Sequence, residues 1–157
     1  MLKIDYLKNH PHFIPLLARW SFDAWGMYNP DATFETVQQK LTNHLNDHCL
    51  PLTVIALRGN VPIGMASLRV SDGCDHLGPN FTPWLGSLFV IEQERSKGVA
   101  GLLIQEILQK AKDLSFSECY LLTFQKNLVK YYESLGWNYL QDDVYNISPI
   151  SIMKITT

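Results

Sequence analysis

The chain has 157 residues, 46% hydrophobic and 18% charged, with 13 Lys and Arg against 15 Asp and Glu for a net charge of −2. That length suits one domain with a real core. The absence of a basic stripe argues against a nucleic-acid partner, no apolar run approaches the roughly 18 residues of a membrane span, and the start MLKIDYLKNHPHF has no signal-peptide core. Cys49, Cys74 and Cys119 are odd in number and lack metal or redox spacing, which reads as a reduced, cytoplasmic protein.

In chain order, LKIDYL (residues 2–7) is a short first strand. Phe13, Leu16, Leu17, Trp20 and Ala24 follow at helical spacing, and GMYNPD breaks that helix. TFETVQQKLTNHLND is a second helix, with Thr33 as N-cap, Glu35 in the positive first turn and Phe34, Val37, Leu41 and Leu45 as its apolar stripe. LPLTVIAL and VPIGMASLRV form a hairpin across the RGN turn. SDGCDHLGPNFTP is a loop, and WLGSLFV is the next strand. A helix from about Gly98 to Leu114 buries Ala100, Leu103, Ile104, Ile107, Leu108 and Ala111. ECYLLTF is a strand, NLVKYYESLG a short helix stopped by Gly136, and WNYL and ISIMKI are closing strands. The order β-α-α-β-β-β-α-β-α-β-β, without repeat or linker, predicts one mixed α/β domain over residues 1–157.

The chemistry concentrates where the strand GSLFV runs through a charged turn into the long helix. The first N–H groups of a helix have no internal partner and carry the positive end of its dipole, so a phosphate group can take them. Gly98 lets the backbone approach an anion, Ala100 and Gly101 keep the first turn small, and Arg95 and Lys97 add charge. The turn matches neither the nucleotide P-loop nor the dinucleotide fingerprint.

Arg95-Ser96-Lys97-Gly98-Val99-Ala100 resembles the acyl-CoA signature R/Q-x-x-G-x-G/A of the GNAT N-acetyltransferase superfamily. The strand before it, the helix after it and the element YESLGW (Tyr132 to Trp137) extend the resemblance over nearly the whole chain. It implies a mostly antiparallel central sheet of six to seven strands with helices on both faces and a wedge between two splayed strands. Acetyl-CoA is the implied co-substrate: pantetheine along Leu88, Phe89 and Val90, and pyrophosphate on the turn from Arg95 through Ser96, Lys97, Gly98, Val99 and Ala100 to Gly101. Tyr132, four residues before Gly136, is the implied catalytic residue, which protonates the departing thiolate or holds its sulfur by a hydrogen bond. The implied activity is direct acetyl transfer to a primary amine of a small molecule or peptide.

Several residues depart from the family pattern. Ser96 stands where glycine is usual, and Glu94 where an aromatic residue is common. Asn127 precedes the tyrosine by five residues, where the family's pantetheine-binding asparagine precedes it by seven. TPWLGSLFV carries no carboxylate, so the general base is open among Asp72, Asp75, His76 and water. These departures motivate the rival reading of a non-catalytic acyl-CoA sensor. Trp25, Asp75 and Trp84 are candidates for the acceptor cleft, while Trp20 and Trp137 read as core. His44 and His48 have i, i+4 spacing but no third ligand, and read as a solvated helix end; no metal is expected. The last strand, ISIMKI, is an exposed edge able to pair across a homodimer.

Overall fold

The computed structural model describes residues 1–157 as a seven-stranded sheet in the order β1-β2-β3-β4-β5-β7-β6. The strands are β1 (Leu2–Tyr6), β2 (Leu52–Arg58), β3 (Val61–Arg69), β4 (Trp84–Val90), β5 (Glu118–Thr123), β6 (Asn138–Tyr145) and β7 (Ser148–Thr156). The helices are α1 (Ile14–Trp25), α2 (Phe34–Thr42), α3 (Val99–Asp113) and α4 (Asn127–Ser134). This is the predicted element order. All neighbouring strands are antiparallel except β4 and β5.

Strands β2 and β3 are apolar almost throughout because both their faces are covered. Successive side chains point to opposite faces. Ile55, Leu57 and Met65 therefore pack under Leu17, Ala18 and Leu41 of α1 and α2. Val54, Ala56, Ala66 and Leu68 join Leu103, Ile104 and Ile107 of α3, with Tyr132 of α4, on the other side. The β3–β4 connection covers the first face beside β5 and β7, where Cys74, Trp84, Tyr120, Ile150 and Ile152 form a third cluster.

Two expectations fail here. The second helix ends at Thr42 instead of running on to Asp47. Past it the chain turns at Asn46, whose Oδ1 accepts from the N–H groups of His48 and Cys49 and whose Nδ2 donates to the Pro51 carbonyl. Leu45 still reaches the core beneath α1 and α2, which is why the apolar stripe outlasts the helix. The final strand is not an edge either. β7 lies between β5 and β6, so ISIMKI offers no free ladder to a second copy. The edges are β1 and β6, and β6 carries Asp142 and Asp143, charges of the kind that blunt edge pairing.

The feature that creates the site is a failure of pairing. β4 and β5 share one residue pair, Trp84 with Tyr120, together with the bond from Tyr120 N–H to the Pro83 carbonyl at 2.9 Å. Beyond it β4 bends away. Ser87 has φ +49°, and the register with β3 shifts between Met65 and Ser67, the kink expected of a bulge.

Candidate active site

The gap between β4 and β5 is the mouth of one cavity of about 1210 Å³. Ligand pockets usually run about 300–1,000 Å³, so this one exceeds the usual single-ligand range. Its lining comes from β4, β5, the start of α3, α4, the α1–α2 connection and the end of β3.

On the α3 side, Gly98 caps the helix in the left-handed conformation, φ +85°. No side chain caps the helix and its first turn holds no acid. The first N–H inside its ladder is that of Leu102, bonded to the Gly98 carbonyl at 3.2 Å. The N–H groups of Val99, Ala100 and Gly101 thus have no partner in the chain, and a Cβ on Gly98 would stand in open space. Ser96 also takes a left-handed φ, +62°, which explains why glycine suits that position.

Arg95 lines the cavity while its Nε donates to the Val90 carbonyl at 2.8 Å and its guanidinium lies 5.5 Å from the Phe89 ring centre. Leu88, Phe89, Val90, Ser96, Gly98, Val99 and Ala100 line the cavity as well. Gly101 and Lys97 do not; Lys97 is exposed, with Nζ 3.7 Å from Glu94. Asn127, at the start of α4, is exposed and away from the cavity, so the five-residue spacing does not deliver the family's asparagine. Glu94 is gripped by Arg58 through bonds of 2.9 and 3.1 Å, and that bond holds its carboxyl below the usual glutamate range. Glu94 is therefore paired and is not a free charge against an anion at this turn, which removes one motive for the sensor reading.

Tyr132 is held at the cavity wall by the end of its helix. The Trp137 N–H bonds to the Tyr132 carbonyl at 3.1 Å and the Gly136 N–H to that of Glu133 at 3.0 Å, a Schellman closure. Tyr132 is 8% exposed and packs edge-on against Trp137, with ring centres 6.2 Å apart. Its hydroxyl has no partner in the protein, and the only fully sealed unpartnered side-chain atom is Trp137 Nε1. Burial first, then Tyr131, pushes the Tyr132 phenol up to about 12. It keeps its proton throughout the neutral range. Tyr131 lines the same cavity but is more exposed.

The acceptor candidates separate. Trp25 lines the cavity, set edge-on to Phe89. Trp84 does not: it is 2% exposed, covered by the β3–β4 connection, and its indole N–H donates to the Phe81 carbonyl. Asp75 sits outside the cavity, bonded by the Ser71 hydroxyl, and His76 is paired with Asp143 at 2.7 Å. Of the open base candidates only Asp72 reaches the cavity, held by Arg69 Nη1 at 2.7 Å. Arg69 Nη2 donates to the Ser87 hydroxyl, bridging Asp72 to the bulge. Gly86 permits this, since a Cβ there would meet the guanidinium at 2.9 Å.

Sequence reading missed several wall residues. Tyr28, from the α1–α2 connection, stacks on Phe124 with ring centres 3.7 Å apart and planes 3° from parallel, and Tyr145 meets Phe124 edge-on. Nothing local marks loop aromatics that meet only in the fold. Arg69 was findable, as the charged end of the Met65–Ser67–Arg69 strand face. His44 is a correction: it is 5% exposed, not solvated, because the helix ends before it and the ring turns inward to Thr53. No group of His, Cys, Asp or Glu side chains is placed to hold a metal.

Residues 14–137 match the model of the acetyltransferase (GNAT) family. No curated protein matches the chain. Solved structures share the fold. An aminoglycoside 6'-N-acetyltransferase complexed with coenzyme A is 14% identical, with a TM-score of 0.75 over 98% of this chain and 96% of that one. An acetyltransferase from Streptococcus agalactiae is 17% identical, with a TM-score of 0.71 over 99% and 98%. A streptothricin acetyltransferase homologue from Bacillus anthracis, in complex with acetyl coenzyme A, is 22% identical, with a TM-score of 0.62 over 74% and 68%.

Proposed function

The chain belongs to the acetyltransferase (GNAT) family, and from that premise we propose that it transfers an acetyl group from acetyl-CoA directly to a primary amine. One observation carries the reading. A single cavity joins a helix start without a side-chain cap, whose N–H groups lack partners, to a buried phenol whose hydroxyl has no partner in the protein. The first suits a diphosphate; the second suits a departing thiolate.

In this reading the turn from Arg95 to Ala100 receives the pyrophosphate, and the exposed strand edge at Leu88 to Val90 guides pantetheine into the gap. The acceptor amine arrives from the α1–α2 side and attacks the thioester carbonyl. Its lone pair forms the C–N bond, the C–S bond breaks, and the sulfur leaves with the bonding pair. The amine's surplus proton passes to water in the cavity mouth. Tyr132 donates a hydrogen bond to the sulfur as charge builds there. A phenol at about 12 facing a thiol with an ordinary pKa of about 8.5 holds the thiolate by hydrogen bonding and retains its own proton.

The test is thiol release from acetyl-CoA across a panel of amines. Tyr132→Phe is expected to lower kcat by about 10²-fold or more with acetyl-CoA affinity preserved, while Tyr131→Phe stays within about threefold. Equal turnover in wild type and Tyr132→Phe would remove Tyr132 from the mechanism.

A further inference from the structure

The cavity extends beneath α2, past the gap that the cofactor reading uses, to Val37, Lys40, Leu41, His44 and Pro51. His44 is the unusual member of this lobe. It is a polar side chain 5% exposed, yet it lines the cavity. Its Nδ1 bonds Thr53 Oγ1 at 2.8 Å, and Thr53 Oγ1 bonds Ser67 Oγ at 2.7 Å. This buried chain of hydroxyls fixes the ring. Nε2 has no partner in the protein, and it is not among the sealed atoms. In the tautomer whose Nδ1 accepts from the Thr53 hydroxyl, Nε2 carries a hydrogen for a ligand.

The charges around the lobe point the same way. Lys40 lines it and takes part in none of the protein's ion pairs. The cavity's only carboxylates are Glu94, at the distant α3 turn in the grip of Arg58, and Asp72, bonded to Arg69 beside the bulge. A polycationic acceptor with one amine at Asp72 would set its further ammonium groups against Lys40 and Arg69, with only Glu94, held by Arg58, left to meet them.

We propose that the lobe beneath α2 is an acceptor subsite for a carboxylate, received by Lys40 and His44, while Asp72 meets the amine at the bulge. The acceptor is then an amino acid whose reacting amine stands several bonds from its carboxylate. The sheet sets that separation. Thr53, Ser67 and Gly86 are register partners across β2, β3 and β4, and each strand step is about 4.8 Å. The backbone of Thr53, which His44 bonds, thus stands on the order of 10 Å from that of Gly86 at the bulge. An α-amine is too close to its own carboxylate to span this; an ω-amine on a chain of several carbons reaches.

This proposal rests on the acetyltransferase reading, and its test separates the two. Calorimetry first establishes acetyl-CoA binding. Thiol release is then measured with glycine, β-alanine, longer ω-amino acids up to ε-aminocaproate, lysine, and alkylamines of matched length without the carboxylate. The expected result is a kcat/KM that rises along the ω-amino acid series and exceeds that of the matched alkylamine by about tenfold, the worth of one good charged hydrogen bond. Lys40→Met, an exposed substitution, and His44→Gln should each erase most of that preference through KM, with the acetyl-CoA dissociation constant unchanged. Alkylamines used as well as ω-amino acids, an optimum at glycine, or no reaction with any panel member despite acetyl-CoA binding would each overturn the carboxylate subsite. The cofactor reading would stand in all three cases. A preference that survives Lys40→Met with KM unchanged would overturn it too.

Discussion

His44 shows how one side chain records the environment the fold builds around it. Burial, then the charges of Arg69 and Lys40, lowers its pKa from 6.5 to about 3. The folded protein holds the ring neutral, whereas the unfolded chain protonates it near 6.5. Between those values the unfolded state binds more protons, so this contribution to stability is complete above pH 6.5 and is lost as pH falls toward 3. Denaturant melts from pH 7 to 4 should show wild type losing stability more steeply than His44→Gln. Parallel profiles would mean the ring is not buried neutral. The two inward cysteines obey the same physics. Burial drives the Cys74 thiol to about 11 and the Cys119 thiol to about 12, which leaves only Cys49 exposed to reagents.

At the scale of elements, the start of α3 unites structure and chemistry. Gly98 takes φ +85° in a place with no neighbour within 4 Å. Gly98→Ala therefore meets no clash, only backbone strain, of about 1 kcal/mol. The added methyl also enters the open space beside the helix start, where the proposed function puts the anion. The expected outcome is a small fall in melting temperature beside a larger, at least tenfold, weakening of acetyl-CoA binding, read by calorimetry. Equal affinity in the variant would place the anion elsewhere. This helix was legible in the sequence because its apolar period and its glycine are local signals, and so was the Gly136 stop of α4. The tail of α2 was misread for a related reason. Leu45 continues the apolar stripe, but Asn46 turns the chain, and no periodicity reports a side chain's bonds to the main chain that follows it. The placement of β7 inside the sheet was equally hidden, since it depends on pairing β7 with β5 across α4 and β6.

At the scale of the whole molecule, the sheet is two halves joined at one residue pair, and the α1–α2 connection ties them again across the cavity. Tyr28 stacks on Phe124 of the C-terminal half, and Asn146 Nδ2, from the β6–β7 turn, donates to the Tyr28 carbonyl at 2.8 Å. The connection thus spans the wedge that the missing β4–β5 pairs leave open. Tyr28→Ala removes the stack, worth about 0.5–1.5 kcal/mol beyond its buried area, while the Asn146 bond to the main chain survives. Stability should fall by about that amount or somewhat more, and the acceptor KM should rise with acetyl-CoA affinity little changed. A variant as stable as wild type would show that the two halves do not depend on this clasp.

In the proposed function the splayed gap and the turn at Arg95 to Ala100 form an acetyl-CoA site. Calorimetric titration of the purified protein with acetyl-CoA, with desulfo-CoA and ATP as comparisons, tests it most directly. Micromolar binding of acetyl-CoA is expected, with similar binding of desulfo-CoA and much weaker binding of ATP, because pantetheine would fill the gap between the strands. No binding at near-millimolar acetyl-CoA, or ATP binding equally well, would contradict it.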